Sequence, residues 1–163
     1  MELKRIFDYR AIMAIFCAAV FTFCILKYFE TADAIQYVVS GSLEIPSIGL
    51  ISDVADVPLS NGILDTPKTI VGSYSRHNNS TLLIGHSNTV FSDLTNVKIG
   101  DSIKYNGRAY QIYKSQIIEK ESIDMRELLA EKDTDTIIVM TCFGQMYNDG
   151  DASHRMIIFA SRA

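Results

Sequence analysis

The sequence predicts an all-β domain: a closed antiparallel β-barrel of seven to eight strands with one or two short helices, preceded by an N-terminal transmembrane helix. Three observations predict it. Short apolar runs recur between turn residues from Leu43 onward, a single short helical pattern interrupts them, and one uncharged apolar run lies near the N-terminus. The 163 residues amount to one domain, and the apolar (48%) and charged (21%) fractions are those of an ordinary globular chain. Nine glycines and three prolines are too few for a collagen-like or broadly disordered chain. A formal charge of −4, with no run of Lys or Arg, excludes an electrostatic grip on nucleic acid.

The N-terminal ten residues carry Lys4, Arg5 and Arg10 against Glu2 and Asp8. From Ala11 to Leu26 the chain has no charge and one hydroxyl, Thr22. At ~1.5 Å per residue this run spans ~24 Å, short of the ~30 Å hydrocarbon core. Lys27, Tyr28 and Phe29 extend its reach into the interface. The pattern predicts a cytoplasmic N-terminus over 1–10, a signal-anchor over 11–29, a linker over 30–42 and a barrel over 43–163 outside the cell membrane. A cleaved signal peptide competes with the anchor, because Ala32-Asp33-Ala34 offers a small-x-small pattern, and a buried soluble helix is the third reading. Cys17 and Cys24 serve as small apolar residues within the run. Cys142 is then the lone thiol of the exported part, with no disulfide partner in an oxidising compartment.

The exported part reads as strands. Leu43 to Leu50 mixes apolar residues with Pro46, as an edge strand or strand start does. Thr81 to His86 is a short apolar run. Gly100-Asp101 marks a turn before a strand over Ser102 to Tyr105, and Asn106-Gly107 is a hairpin turn leading into a long strand from Arg108 to Glu119. Asp124 to Lys132 reads as one or two helical turns capped by Ser122 or Asp124. Thr136 to Cys142 and Arg155 to Ser161 are apolar strands, and the Gly-, Asn- and Asp-rich stretch from Phe143 to Ser153 reads as the loop between them.

Three chemically competent side chains fall at strand ends. His86 ends one apolar run, Cys142 ends another and Arg155 opens the last. Acyl transfer through a thiol needs such parts: a thiolate to attack a carbonyl, an imidazole to move the proton, and a cation or N–H group to hold the oxyanion. By strand parity Arg155 points with Ile157 and Phe159, whereas Arg162 faces the other way. Plainer readings exist for each residue. Cys142 can be a small core hydrophobe, His86 a solvated strand end, and Arg155 the partner of Asp149 or Asp151 in an ion pair. Asn148 to Asp151 lacks the distant Glu of an EF-hand, and His77, His86, Cys142 and His154 have no recognised zinc spacing.

Together these residues resemble the sortase family of cell-surface transpeptidases. The resemblance runs from about Leu43 to Ser161. LEIPSIGL resembles the family's first strand, GHSNTVFSDL its histidine segment, Val97 to Ile103 the strand after it, Ile138-Val139-Met140-Thr141-Cys142 its Thr-Cys strand, and Arg155 to Ala160 its arginine-led last strand. Ser87 and Asn88 stand where the family often has Arg and Asp. The resemblance implies that Cys142 attacks the threonine carbonyl of a C-terminal LPxTG-like sorting signal. His86 would protonate the leaving amine, and Arg155 would hold the oxyanion or the substrate backbone. Thr141, Ile123 and Leu128 would contact substrate. The partners implied are secreted proteins with a sorting signal and an amine acceptor, either a peptidoglycan precursor or a pilin lysine. No cofactor is implied, and calcium modulation of the loops is not indicated. A papain-like protease places Cys before His, and a caspase-like hydrolase alternates strands with long helices, so neither fits. The remaining alternative is a catalytically inert, membrane-tethered β-barrel binding module.

Overall fold

A computed structural model describes residues 13, 17–21, 37–77, 79–148 and 150–162. The chain divides into two compact units, Met1–Gln36 and Tyr37–Ala163. Of the first unit only residue 13 and residues 17–21 are described, as exposed helix. The expected signal-anchor over 11–29, the tail before it and most of the linker after it therefore lie largely outside the described residues. Among those that are described, no helix is long and apolar enough to cross a membrane.

Among its described residues the second unit holds ten strands: β1 (Val39–Ile45), β2 (Leu50–Asp56), β3 (Leu59–Ser60), β4 (Ile63–Leu64), β5 (Val71–His77), β6 (Ser80–Ile84), β7 (Ser102–Tyr105), β8 (Arg108–Glu119), β9 (Thr136–Met146) and β10 (Ala152–Arg162). Eight of them close a barrel in the order β1-β2-β5-β6-β9-β10-β8-β7, while β3 and β4 form a separate two-stranded hairpin. Eight strands match the expected count, but the barrel is not wholly antiparallel. β2 pairs with β5 and β6 with β9 in parallel. Each parallel pair needs a crossover, supplied by the β3–β4 segment in one case and the β7–β8 hairpin in the other.

Local chemistry explains the element ends. Pro46 does not sit within a strand as expected; it opens a 3₁₀ turn, Pro46–Ile48, between β1 and β2. Asn106 and Gly107 both adopt positive φ, 49° and 75°, as a tight hairpin turn requires. Asp124 is the helix cap: its carboxylate accepts from the Arg126 and Glu127 amides at 2.8 and 3.4 Å, starting the four-residue helix α1 (Met125–Leu128). The expected 143–153 loop is shorter than its composition suggests. β9 and β10 continue their ladder to Met146 and Ala152 across an irregularity in register. The polar residues on this extension face water, and the backbone pairing satisfies their amides.

Side chains alternate between two buried regions. The barrel interior draws Leu43, Val54, Val71, Leu83, Ile103, Ile112, Val139 and Ile158 from all eight barrel strands. A second cluster lies on the outer face of β6, β9 and β10, where Leu82, Ile84, Ile138, Ile157 and Phe159 pack with Val57, Leu128 and Leu129. That part of the wall is thus apolar on both sides, and the sequence of β9 reads as a continuous hydrophobic run for this reason.

Candidate active site

The parallel pairing of β6 with β9 builds the site. Their register ends at Ile84 opposite Met140. One step of alternation further along each strand path lie His86 and Cys142, on the outer face with Leu82, Ile84, Ile138 and Met140. β10 runs antiparallel to β9, so its first residues return to the same end of the barrel, where Arg155 pairs directly with Cys142. Three residues distant in sequence therefore meet at one edge. All three are half-buried and line one cavity of about 770 Å³.

The backbone around His86 is held from both sides. Its carbonyl accepts from the amides of Thr89 and Phe91 at 3.3 and 3.0 Å, closing a tight turn. Gly85 leaves the space that Phe91 fills: a Cβ there would lie 2.7 Å from the Phe91 ring and 2.6 Å from Val90. Thr141 lines the cavity, but its side chain is buried and its hydroxyl donates to the Gly85 carbonyl at 2.8 Å. This bond joins the residue before Cys142 to the residue before His86. Thr141→Val should leave that carbonyl unsatisfied and cost about 1–3 kcal/mol of stability, measured by urea denaturation. A neutral result would mean that the bond holds nothing in place.

Arg155 is anchored rather than free. Its Nη1 donates to the carbonyls of Ala152 and His154 at 2.9 and 3.0 Å, and its Nη2 meets an Asp151 carboxylate oxygen at 2.5 Å. Three of the five guanidinium N–H groups are committed, and two remain for a ligand. Asp151 also pairs with Lys120. The Lys120 ammonium and then the Arg155 guanidinium hold the Asp151 carboxyl well below the usual carboxylate range, and Asp151 raises Lys120 in return. A depressed carboxyl contributes stability that is complete above its unfolded value near ~3.9 and is lost as pH falls through the folded value. Asp151→Asn should therefore destabilise equally at about pH 7 and pH 5, with the gap narrowing near pH 2.5. A gap that widens in acid would contradict this assignment.

No hydrogen bond joins the Cys142 thiol to His86 among the described residues. The two face the cavity from adjacent strand ends. His77 and His154 lie outside this cavity; His154 instead contacts Ser153 through Nδ1 at 2.8 Å. Among the described residues no group of three acidic, Cys or His side chains is placed to hold a metal ion. Of the other expected substrate contacts, Ile123 lines the cavity but Leu128 does not. Leu128 and Leu129 both pack in the outer-face core, and Leu129, with Met125, also lines the cavity. The opposite rim comes from the β3–β4 hairpin through Leu59, Ile63 and Leu64, which strand reading missed. Its turn, Asn61-Gly62, carries the same signature as Asn106-Gly107, with φ of 51° and 78°. A second depression, about 560 Å³ and lined by Ile48, Asp53, Thr89 and Asp93 among others, holds none of the three candidate catalytic residues.

Comparison with known proteins places this architecture. The family model described as the sortase domain matches residues 43–163. Sortase D of Bacillus subtilis (strain 168) is 32% identical over 133 residues, covering 76% of this chain. The chain spans 63% of that relative's length. A lid mutant of sortase A from Corynebacterium diphtheriae superposes with a TM-score of 0.61 at 23% identity, over 80% of this chain and 73% of that one. Sortase A of Listeria monocytogenes gives 0.60 at 16% identity, over 77% and 87%. Sortase C2 of group B Streptococcus pilus island 1 gives 0.61 at 21%, over 77% and 74%. At these identities the structural likeness is one of fold.

Proposed function

The chain belongs to the sortase family, and from that premise we propose that it is a membrane-anchored cysteine transpeptidase. It cleaves a C-terminal LPxTG-like sorting signal and joins the released protein to an amine. The observation that carries this reading is the meeting of Cys142, His86 and Arg155 on one cavity at one end of three adjacent strand paths.

Cys142 attacks the threonine carbonyl as a thiolate, and the oxyanion draws on the unused N–H groups of Arg155. His86 protonates the departing amine as the C–N bond breaks, leaving a thioester on Cys142. The incoming amine then attacks the thioester, His86 takes its proton, and the sulfur departs. The acceptor is a cell-wall precursor amine or a pilin lysine; water is the slow alternative. Ile123, Met125 and Leu129 offer the apolar wall along which the sorting motif lies. Residues 11–29 tether the enzyme with its N-terminus inside, so that lipid-linked acceptor and secreted donor meet it at one membrane face.

The test is mass spectrometry of the full chain with a sorting-signal peptide. A thioester adduct on Cys142 that disappears on adding an amine acceptor supports the transferase. An inert thiol whose alkylation ignores His86, with no adduct formed, supports the inert binding module instead.

A further inference from the structure

The cavity and the chain carry opposite charge. The whole chain has a formal charge of −4, yet this one cavity is lined by Arg76, Lys120, Arg126 and Arg155 against a single carboxylate, Asp151. The four cations are not equivalent. Lys120 and Arg155 share Asp151. Arg76 and Arg126 are exposed, and neither has an ion-pair partner among the described residues. They reach the cavity from different elements. Arg76 extends from β5 on the face that Tyr74 turns toward the outer core, and Arg126 stands on the first turn of α1. The Arg126 backbone is fixed by its 2.8 Å bond to the Asp124 cap, so its side chain starts from a rigid point.

Gathering like charges around one hollow raises the energy of the empty site, and an anionic ligand relieves it. A guanidinium also presents a planar fork that fits a carboxylate, which a scattered lysine surface does not. The apolar wall of Ile123 and Leu129 takes the uncharged part of a donor peptide. That leaves the unpaired arginines for a charged part. We propose that this cavity selects donor peptides carrying an acidic side chain within or beside the sorting motif, read by Arg76 and Arg126. The proposal rests on the transferase reading of the cavity and names its substrate class more narrowly.

The experiment uses the full chain and synthetic donor peptides that differ only in one position being Glu, Gln or Lys, scanned through and beside the motif, with an uncharged amine acceptor. At low salt kcat/KM for the best Glu peptide should exceed that of its Gln counterpart by about fivefold, and the ratio should shrink as salt is added. In Arg76→Glu/Arg126→Glu the order should invert in favour of Lys; either single variant reports the same trend at smaller size. A wild-type ratio of one, or a preference that survives the double substitution, overturns the proposal. So does charge discrimination seen only when the acceptor is varied against a neutral donor. Fluorescence anisotropy of the same peptides on Cys142→Ala separates the two readings. Charge-ranked binding to Cys142→Ala together with no transfer by the unsubstituted chain sinks the transferase and keeps this inference; transfer by the unsubstituted chain without charge ranking does the reverse.

Discussion

Cys142→Ala is expected to lower transfer of a sorting-signal peptide to an amine by about five to six orders of magnitude, to the level of the uncatalysed reaction. Among the described residues Cys142 is the one thiol that lines the cavity. The nearest hydroxyl along the chain, Thr141, is buried and already donates to the Gly85 carbonyl. The fold should survive, because Cys142 is half-buried and its place opposite Arg155 is held by the backbone ladder. The measurement is a fluorogenic peptide assay with amine-dependent product identified by mass, beside a thermal melt of the same protein. Retained transfer in a properly folded Cys142→Ala would end the proposed chemistry.

His86→Ala should cost about 10²–10⁴ in kcat/KM, the usual worth of a positioned general acid and base. His86 alone among the three histidines lines the cavity. Its backbone is fixed by the Thr89 and Phe91 amides, so the substitution removes the ring without freeing the turn. Two readouts distinguish loss of proton transfer from general damage. Added imidazole should restore part of the rate, and a thermal melt should match that of the unsubstituted chain. Arg155→Ala should cost somewhat less, about 10²–10³, as removal of an oxyanion donor does. If His86→Ala transfers at the wild-type rate, the proton must move by another route.

Much of this was legible because the local signals agree with the global fold. β8 begins and ends at Arg108 and Glu119 as read, since an Asn-Gly turn fixes its start. Strand parity placed Arg155 with Ile157 and Phe159, and the outer-face cluster contains both of the latter. The β3–β4 hairpin escaped because each of its strands has two residues, too few for any alternation to show. β5 escaped because VGSYSRH is small and polar, and only its first three residues are buried. The parallel pairs have no local signature at all; they follow from how the chain crosses the barrel. Leu128 does not line the cavity although its neighbour Leu129 does, and both pack in the outer-face cluster. Asp151 was read from the sequence as a candidate partner of Arg155, and the two form an ion pair; Arg76 and Lys120 escaped because isolated charges on a rim carry no periodicity to read.

The adjacency of β6 and β9 has a consequence for the order in which the site assembles. The bond between Thr141 and Gly85 spans 56 residues, and Arg155 arrives only with the final strand. Contacts of such separation form slowly and late, since a long loop must close before they return anything. A chain whose last strand has not docked therefore lacks Arg155 beside Cys142. The cavity gains the Arg155 guanidinium only when folding is complete, so the three side chains assemble as a unit at the last step.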